Sequence, residues 1–102
     1  MLGKITSTGT DTELLYTVPA TTRTVVNVAA TNTGGNAAQI KIHVHPSGDA
    51  AADGNAIELL ELDPGAVLER TGLVLDAGDQ VSVWSDQATV SFHAFGVESA
   101  VI

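Results

Sequence analysis

The chain has 102 residues, with 12 acidic and 4 basic side chains and a formal charge of −8. That length suits one domain with one core, and 44% hydrophobic residues exclude a disordered tail. Nucleic acid binding needs clustered Lys and Arg, whereas Lys4, Arg23, Lys41 and Arg70 are scattered, which excludes a nucleic-acid partner and an anionic membrane surface alike.

There is no cysteine, hence no disulfide framework and no thiol chemistry. The opening Met1-Leu2-Gly3-Lys4-Ile5-Thr6 lacks the apolar core of a signal peptide, and no apolar run approaches membrane-spanning length. Synthesis and folding in a cytoplasm are expected. The apolar content is mostly Val, Ala, Ile and Leu. Val and Ile are stiff at χ1 and suit a pleated sheet better than a helix.

Residues 1–12 are rich in Thr, Ser and Gly and read as an arm. The arm is either mobile, tied down as a short strand around Lys4-Ile5-Thr6, or reaching onto a neighbouring subunit. Residues 13–102 read as one β-domain. Glu13 to Val18 is a strand stopped by Pro19, which cannot donate to a ladder. Arg23 to Asn32 follows, with Val26, Val28 and Ala30 on one face and Val25, Asn27 and Ala29 on the other. The second face is not strongly polar, so cover by another chain is an option. Thr33-Gly34-Gly35-Asn36 is a turn by composition.

Gln39 to His45 alternates cleanly. Ile40, Ile42 and Val44 are expected inward, and Gln39, Lys41, His43 and His45 outward. Ala50 to Ala56 is a long loop, and Ile57 to Leu62 favours a strand over a helical turn because it is short. Asp63-Pro64-Gly65 is a turn, and Ala66 to Thr71 another strand. Gly72 to Ser85 reads as strand, tight turn at Asp76-Ala77-Gly78-Asp79, then strand, with Val81 and Val83 inward. After a turn at Asp86-Gln87, Val90, Phe92 and Ala94 repeat the pattern; Glu98 to Ile102 is left as a tail. About eight strands with turns every 8–12 residues predict an all-β, antiparallel sandwich, with jelly-roll and immunoglobulin-like connectivities both open.

His43 and His45, two apart on a strand, share a face, and His93 also alternates outward. Three imidazoles could bind a metal if the two strands were neighbours. The pair resembles the His-x-His motif of the cupins, a jelly-roll group. The cupins follow it with a Glu a few residues on, whereas Pro46, Ser47, Gly48 and Asp49 stand here and the next Glu is Glu58. Their second motif is not matched either. Asp49, Asp53, Asn55 and Glu58 lack the EF-hand spacing and read as a solvated loop. Ser82, Ser85 and Ser91 have no evident base, and no Gly-rich phosphate loop precedes a helix. The expectation is a non-enzymatic chain with no metal and no cofactor.

Trp84, Phe95 and Val97 are the outliers, because by alternation they point away from the core. Large apolar groups on an outer face require cover, either internal or from another subunit.

The succession Leu15-Tyr16-Thr17-Val18-Pro19-Ala20, Thr24-Val25-Val26-Asn27-Val28, Asp63-Pro64-Gly65, Leu75-Asp76-Ala77-Gly78-Asp79-Gln80-Val81-Ser82-Val83 and Phe95-Gly96-Val97-Glu98 resembles small β-sandwich virion proteins of tailed bacteriophages. These include head decoration (cement) proteins and tail-associated modules. The resemblance implies a homo-oligomer, commonly a trimer, that binds the major capsid protein on the outer head surface of the virion. Trp84, Phe95, Val97 and His93 are then candidates for the oligomer interface. Lys4, Ile5 and Thr6, with the loop tips, are candidates for shell contact. The alternative is a tail or fibre module binding host glycans, with Trp84 and Tyr16 as its ring candidates; a cupin-like metal enzyme using His43, His45 and His93 is the third reading.

Overall fold

The period-two patterning becomes eight strands in a computed structural model that describes residues 1–101. They are β1 (Gly3–Thr6), β2 (Glu13–Thr17), β3 (Thr22–Asn32), β4 (Ala38–His45), β5 (Ala56–Leu62), β6 (Val67–Leu75), β7 (Gln80–Ser85) and β8 (Val90–Ala100). One sheet has the order β1-β8-β3-β6 and the other β2-β7-β4-β5. All pairings are antiparallel. β4 pairs with β5, β3 with β6, β2 with β7 and β1 with β8. The chain is thus one long nested hairpin rolled up on itself, which is a jelly roll rather than an immunoglobulin-like sandwich.

Inward residues fill the space between the sheets. Val26, Val28 and Ala30 of β3, Ile40 and Ile42 of β4, Val81 and Val83 of β7, and Val90, Phe92 and Ala94 of β8 are all buried. Each larger apolar side chain removed from water contributes about 1.5–3 kcal/mol. With four aromatic residues at most in the chain, β-branched side chains carry most of this core.

Three expectations need correction, and one open alternative is decided. β6 and β7 flank the tight turn at residues 76–79, yet they lie in different sheets and do not pair as a hairpin. The turn carries the chain from one sheet to the other; among sequence neighbours only β4 and β5 pair. Second, Ala66 to Leu75 is not two strands. β6 runs through Gly72, where an extra residue sits opposite Asn27 and shifts the register between Val26 and Val28. Gly72 has φ +73, which a glycine reaches without penalty, and its N–H bonds to Asn27 Oδ1 at 3.0 Å. The bulge resets the alternation, so Leu73 and Leu68 both face inward. Third, Glu98 to Ala100 belongs to β8 and pairs with Thr22 to Thr24 rather than hanging as a tail; Ile102 lies outside the described residues. Of the options open for residues 1–12, the short strand is the one formed: Gly3–Thr6 is an edge strand on β8.

Polar groups tie the two sheets together at their ends. Asn32 is fully buried at the end of β3. Its Nδ2 donates to Asn36 O at 2.7 Å and Leu62 O at 3.0 Å, and its Oδ1 accepts from Gly34 N at 3.1 Å and Thr89 Oγ1 at 3.0 Å. All four bonding positions of the amide are used. At the other end Tyr16 of the second sheet reaches Thr24 Oγ1 at 2.9 Å and donates to Glu98 Oε2 at 2.5 Å, both on the first sheet. Burial, helped by the Glu98 hydrogen bond, raises the Tyr16 pKa, so its hydroxyl keeps its proton at neutral pH. On the open side between β5 and β6, Arg70 Nη1 meets Glu58 Oε1 at 3.2 Å.

Candidate interaction face

The two sheets present very different outer faces. That of the β2-β7-β4-β5 sheet is partly covered by its own chain, although Leu14 and Leu59 stay 51% and 56% exposed there. Trp84 sits there, opposite Lys41 in the β4–β7 ladder. Lys41 Nζ lies 5.1 Å from the indole centroid, a cation–π contact, and also holds Asp53 Oδ1 at 3.2 Å. The indole Nε1 donates to Thr10 O at 3.2 Å. Asp53 opens a short 3₁₀ turn, Asp53–Asn55, that packs back on β4. Asn55 fastens this loop by accepting from Ala52 N at 3.0 Å and donating to Ala50 O at 3.1 Å.

This cover explains the histidines. His43 and His45 take the outward side of β4, as alternation dictates, yet they are only 2% and 5% exposed. His45 lies between Ser82 Oγ at 2.9 Å and Pro46 O at 3.1 Å. His43 Nδ1 is buried without a hydrogen-bond partner. Burial first, then the nearby Lys41 and His45, lowers the His43 pKa against the opposing pull of Ser82 and Asp53, which favours the neutral ring.

His93 lies in the other sheet, opposite Lys4 and Ala29. The three histidines therefore do not converge, and no group of three metal-ligating side chains forms among the described residues. The acidic loop residues do not converge either. Asp53 goes to Lys41, Glu58 to Arg70, and Asn55 to its own loop backbone. Tyr16 is buried in the core, not displayed as a ring for a sugar to stack on.

The outer face of the β1-β8-β3-β6 sheet has a continuous apolar row instead. Val97 of β8, Val25 of β3 and Val74 of β6 lie side by side in one row across three strands. They are 66%, 41% and 64% exposed, and Phe95, two residues along β8, is 40% exposed. Among the described residues nothing covers this row. His93 is the next outward residue of β8, and Lys4 stands beside it on β1. Lys4 and Thr6 face out, while Ile5 turns toward the core. Lys4, Ile5, Thr6, Ser91 and His93 line a shallow hollow of about 210 Å³.

The expected interface set thus divides. Phe95, Val97 and His93 share a face, while Trp84 lies on the opposite sheet beneath the chain's own cover. Val25 and Val74 complete the apolar row. In the sequence, the weakly polar second face of β3 is the signal for Val25. Val74 was missed because its side depends on the bulge at Gly72. Compared with known proteins, the chain matches no family, no curated protein and no solved structure.

Proposed function

We propose that the chain is a non-enzymatic structural protein of a phage particle, a decoration protein that associates with copies of itself and binds the outer surface of the head shell. The observation that carries the reading is the uncovered row Val97, Val25, Val74 with Phe95 beside it, on a rigid sheet. An exposed apolar stripe of this kind is costly in water and marks a protein–protein contact. A jelly roll suits the task, because its short strands and tight turns leave loops clustered at two ends, free to touch a second surface.

In this reading the outer face of the β1-β8-β3-β6 sheet joins copies of the chain. Lys4 and Thr6 belong to that face, so shell contact falls to the loop tips. The longest loop, residues 46–55, and the turn at residues 76–79 lie at one end of the sandwich. The mechanism is mechanical: many small contacts staple neighbouring shell subunits, and the apolar area buried offsets outward pressure. The acidic balance agrees with a position away from packaged DNA. The glycan-binding alternative loses its ring candidates, since Tyr16 is buried and Trp84 is partly covered.

The test is to mix purified protein with expanded, undecorated heads of tailed phages, sediment the particles, and image them by cryo-microscopy. Saturable binding with density on the outer shell is expected. Protein that stays in the supernatant at all concentrations overturns the proposal.

A further inference from the structure

We infer that two copies of this chain pack their β1-β8-β3-β6 sheets face to face about a two-fold axis that runs parallel to the strands, between β3 and β8. This deepens the self-association half of the proposed function and does not depend on shell binding.

The chain carries 12 carboxylates. Glu69 is the one carboxylate among the outward residues of the paired rows of this face. A chain of charge −8 that keeps its acids off one sheet face is arranged for that face to be buried against another copy, where like charges would repel.

At one end of the face Arg23 is already held by Asp76 at 3.2 Å, and one other row carries both signs of charge. Lys4 of β1, His93 of β8, Ala29 of β3 and Glu69 of β6 stand in line across the sheet. The cation is at one edge and the anion at the other. Three ion pairs form among the described residues, and neither Lys4 nor Glu69 takes part in any of them. A two-fold axis along the strands leaves each row at its own height and reverses it left to right. Glu69 of one copy then meets Lys4 of the second, and the same pair recurs on the far side. Ala29, small, meets His93. Two outward rows further along, past Asn27 and Phe95, Val25 of each copy meets Val97 of the other, while Val74 lies beyond the end of the second copy's β1. Such an isologous contact is self-complementary and stops at two copies. Sheets packed face to face keep their strands within about 30° of each other, as this axis requires.

Strands of 4, 11, 11 and 9 residues, at about 3.3 Å per residue and about 4.8 Å apart, give a face of roughly 550 Å². The two faces together, roughly 1,100 Å², stand at the low end for a specific interface, so a weak dimer is expected. The resemblance to decoration proteins implies three copies; the charge row is instead matched by two.

Sedimentation equilibrium of the full chain over a concentration series tests this. A dimer mass is expected. Lys4→Glu alone and Glu69→Lys alone each place like charges together at both ends of the row and weaken dimerisation about tenfold or more. The double variant Lys4→Glu with Glu69→Lys restores it to within about threefold. Val97→Asp gives a monomer whose far-ultraviolet circular dichroism is that of the parent, which separates loss of pairing from loss of fold. A trimer mass overturns the two-fold arrangement while leaving self-association standing. A monomer at all concentrations overturns both. A dimer in which the double charge swap fails to rescue overturns the register. Binding to heads is measured separately and can fail without touching any of these outcomes.

Discussion

Asn32 shows how much one side chain can hold. It ends β3, and its amide fastens the turn after β3, the end of β5 and the loop before β8. Asn32→Ala leaves the carbonyls of Asn36 and Leu62 without donors in a buried place, along with a small cavity. Unsatisfied buried groups cost about 1–3 kcal/mol each, so a loss of about 3 kcal/mol is expected from a urea melt, and a shift under 1 kcal/mol would refute the role. Asn32→Asp is expected to do no better, because a carboxylate cannot donate to those carbonyls. His43 gives the pH dependence. Its folded pKa lies below its ordinary value, so the unfolded chain takes up a proton first as pH falls. The stability it contributes is full above the unfolded value, about 6.5, and is lost as pH drops from there through the folded pKa. His43→Gln is expected to flatten the slope of urea midpoint against pH between neutral and the lower end of that window. A variant with the parent's slope would place the acid sensitivity elsewhere. Sequence alternation put His43 on the right face. It gave no sign that the 46–55 loop would fold back over it, because Lys41 and Asp53 are distant in sequence and their pairing is a tertiary fact.

At the scale of elements, the β3–β8 ladder is the spine of the first sheet, and its closeness is set by a missing side chain. Gly96 lies opposite Val26, and a Cβ there would be driven into the Val25 carbonyl oxygen, with the Val26 Cα only 3.2 Å away. Backbone cannot yield as a flexible side chain would. Gly96→Ala is expected to cost about 3 kcal/mol, at the upper end of overpacking, and to lower the melting temperature without changing the core side chains. Gly35→Ala is the control: a Cβ there meets open space, and a change under about 0.5 kcal/mol is expected. Equal melts for the two variants would contradict this. The eight strands themselves were legible because most inward positions are apolar, Thr24, Asn32 and Ser85 excepted, and every turn carries Gly, Pro, Asp or Asn. Pairing was not. Asp76-Ala77-Gly78-Asp79 has the chemistry of a hairpin turn, yet it links two sheets. A tight turn fixes a reversal of direction, and only the packing of both flanking strands decides whether they share a sheet. The bulge at Gly72 was hidden for a related reason: one glycine between two apolar runs reads equally as a break between strands or as a shift within one.

For the whole molecule, nesting sets an order of assembly. The β4–β5 pair closes a short loop, whereas β1 and β8 join residues from the two ends of the chain. Closing a loop costs more as it lengthens, about 0.6 kcal/mol for each doubling, so the outer pairs become affordable only once the inner ones have shortened the path. β4 also borders β7, so the innermost hairpin brings the second sheet together before β8 arrives. Folding is therefore expected to nucleate around β4, β5 and β7, at the millisecond-to-second pace of non-local β-folds. Ile40→Val on β4 removes one buried methylene, worth about 1 kcal/mol, and most of that loss is expected in the folding rate, a slowing of about threefold. Val90→Ala, at the start of β8, costs more, yet its loss is expected mainly as faster unfolding, because β8 docks after the barrier. Stopped-flow chevrons of the two variants decide the matter. A Val90→Ala variant that slows folding in proportion to its lost stability would mean that the first sheet forms first, and that the roll closes from its ends.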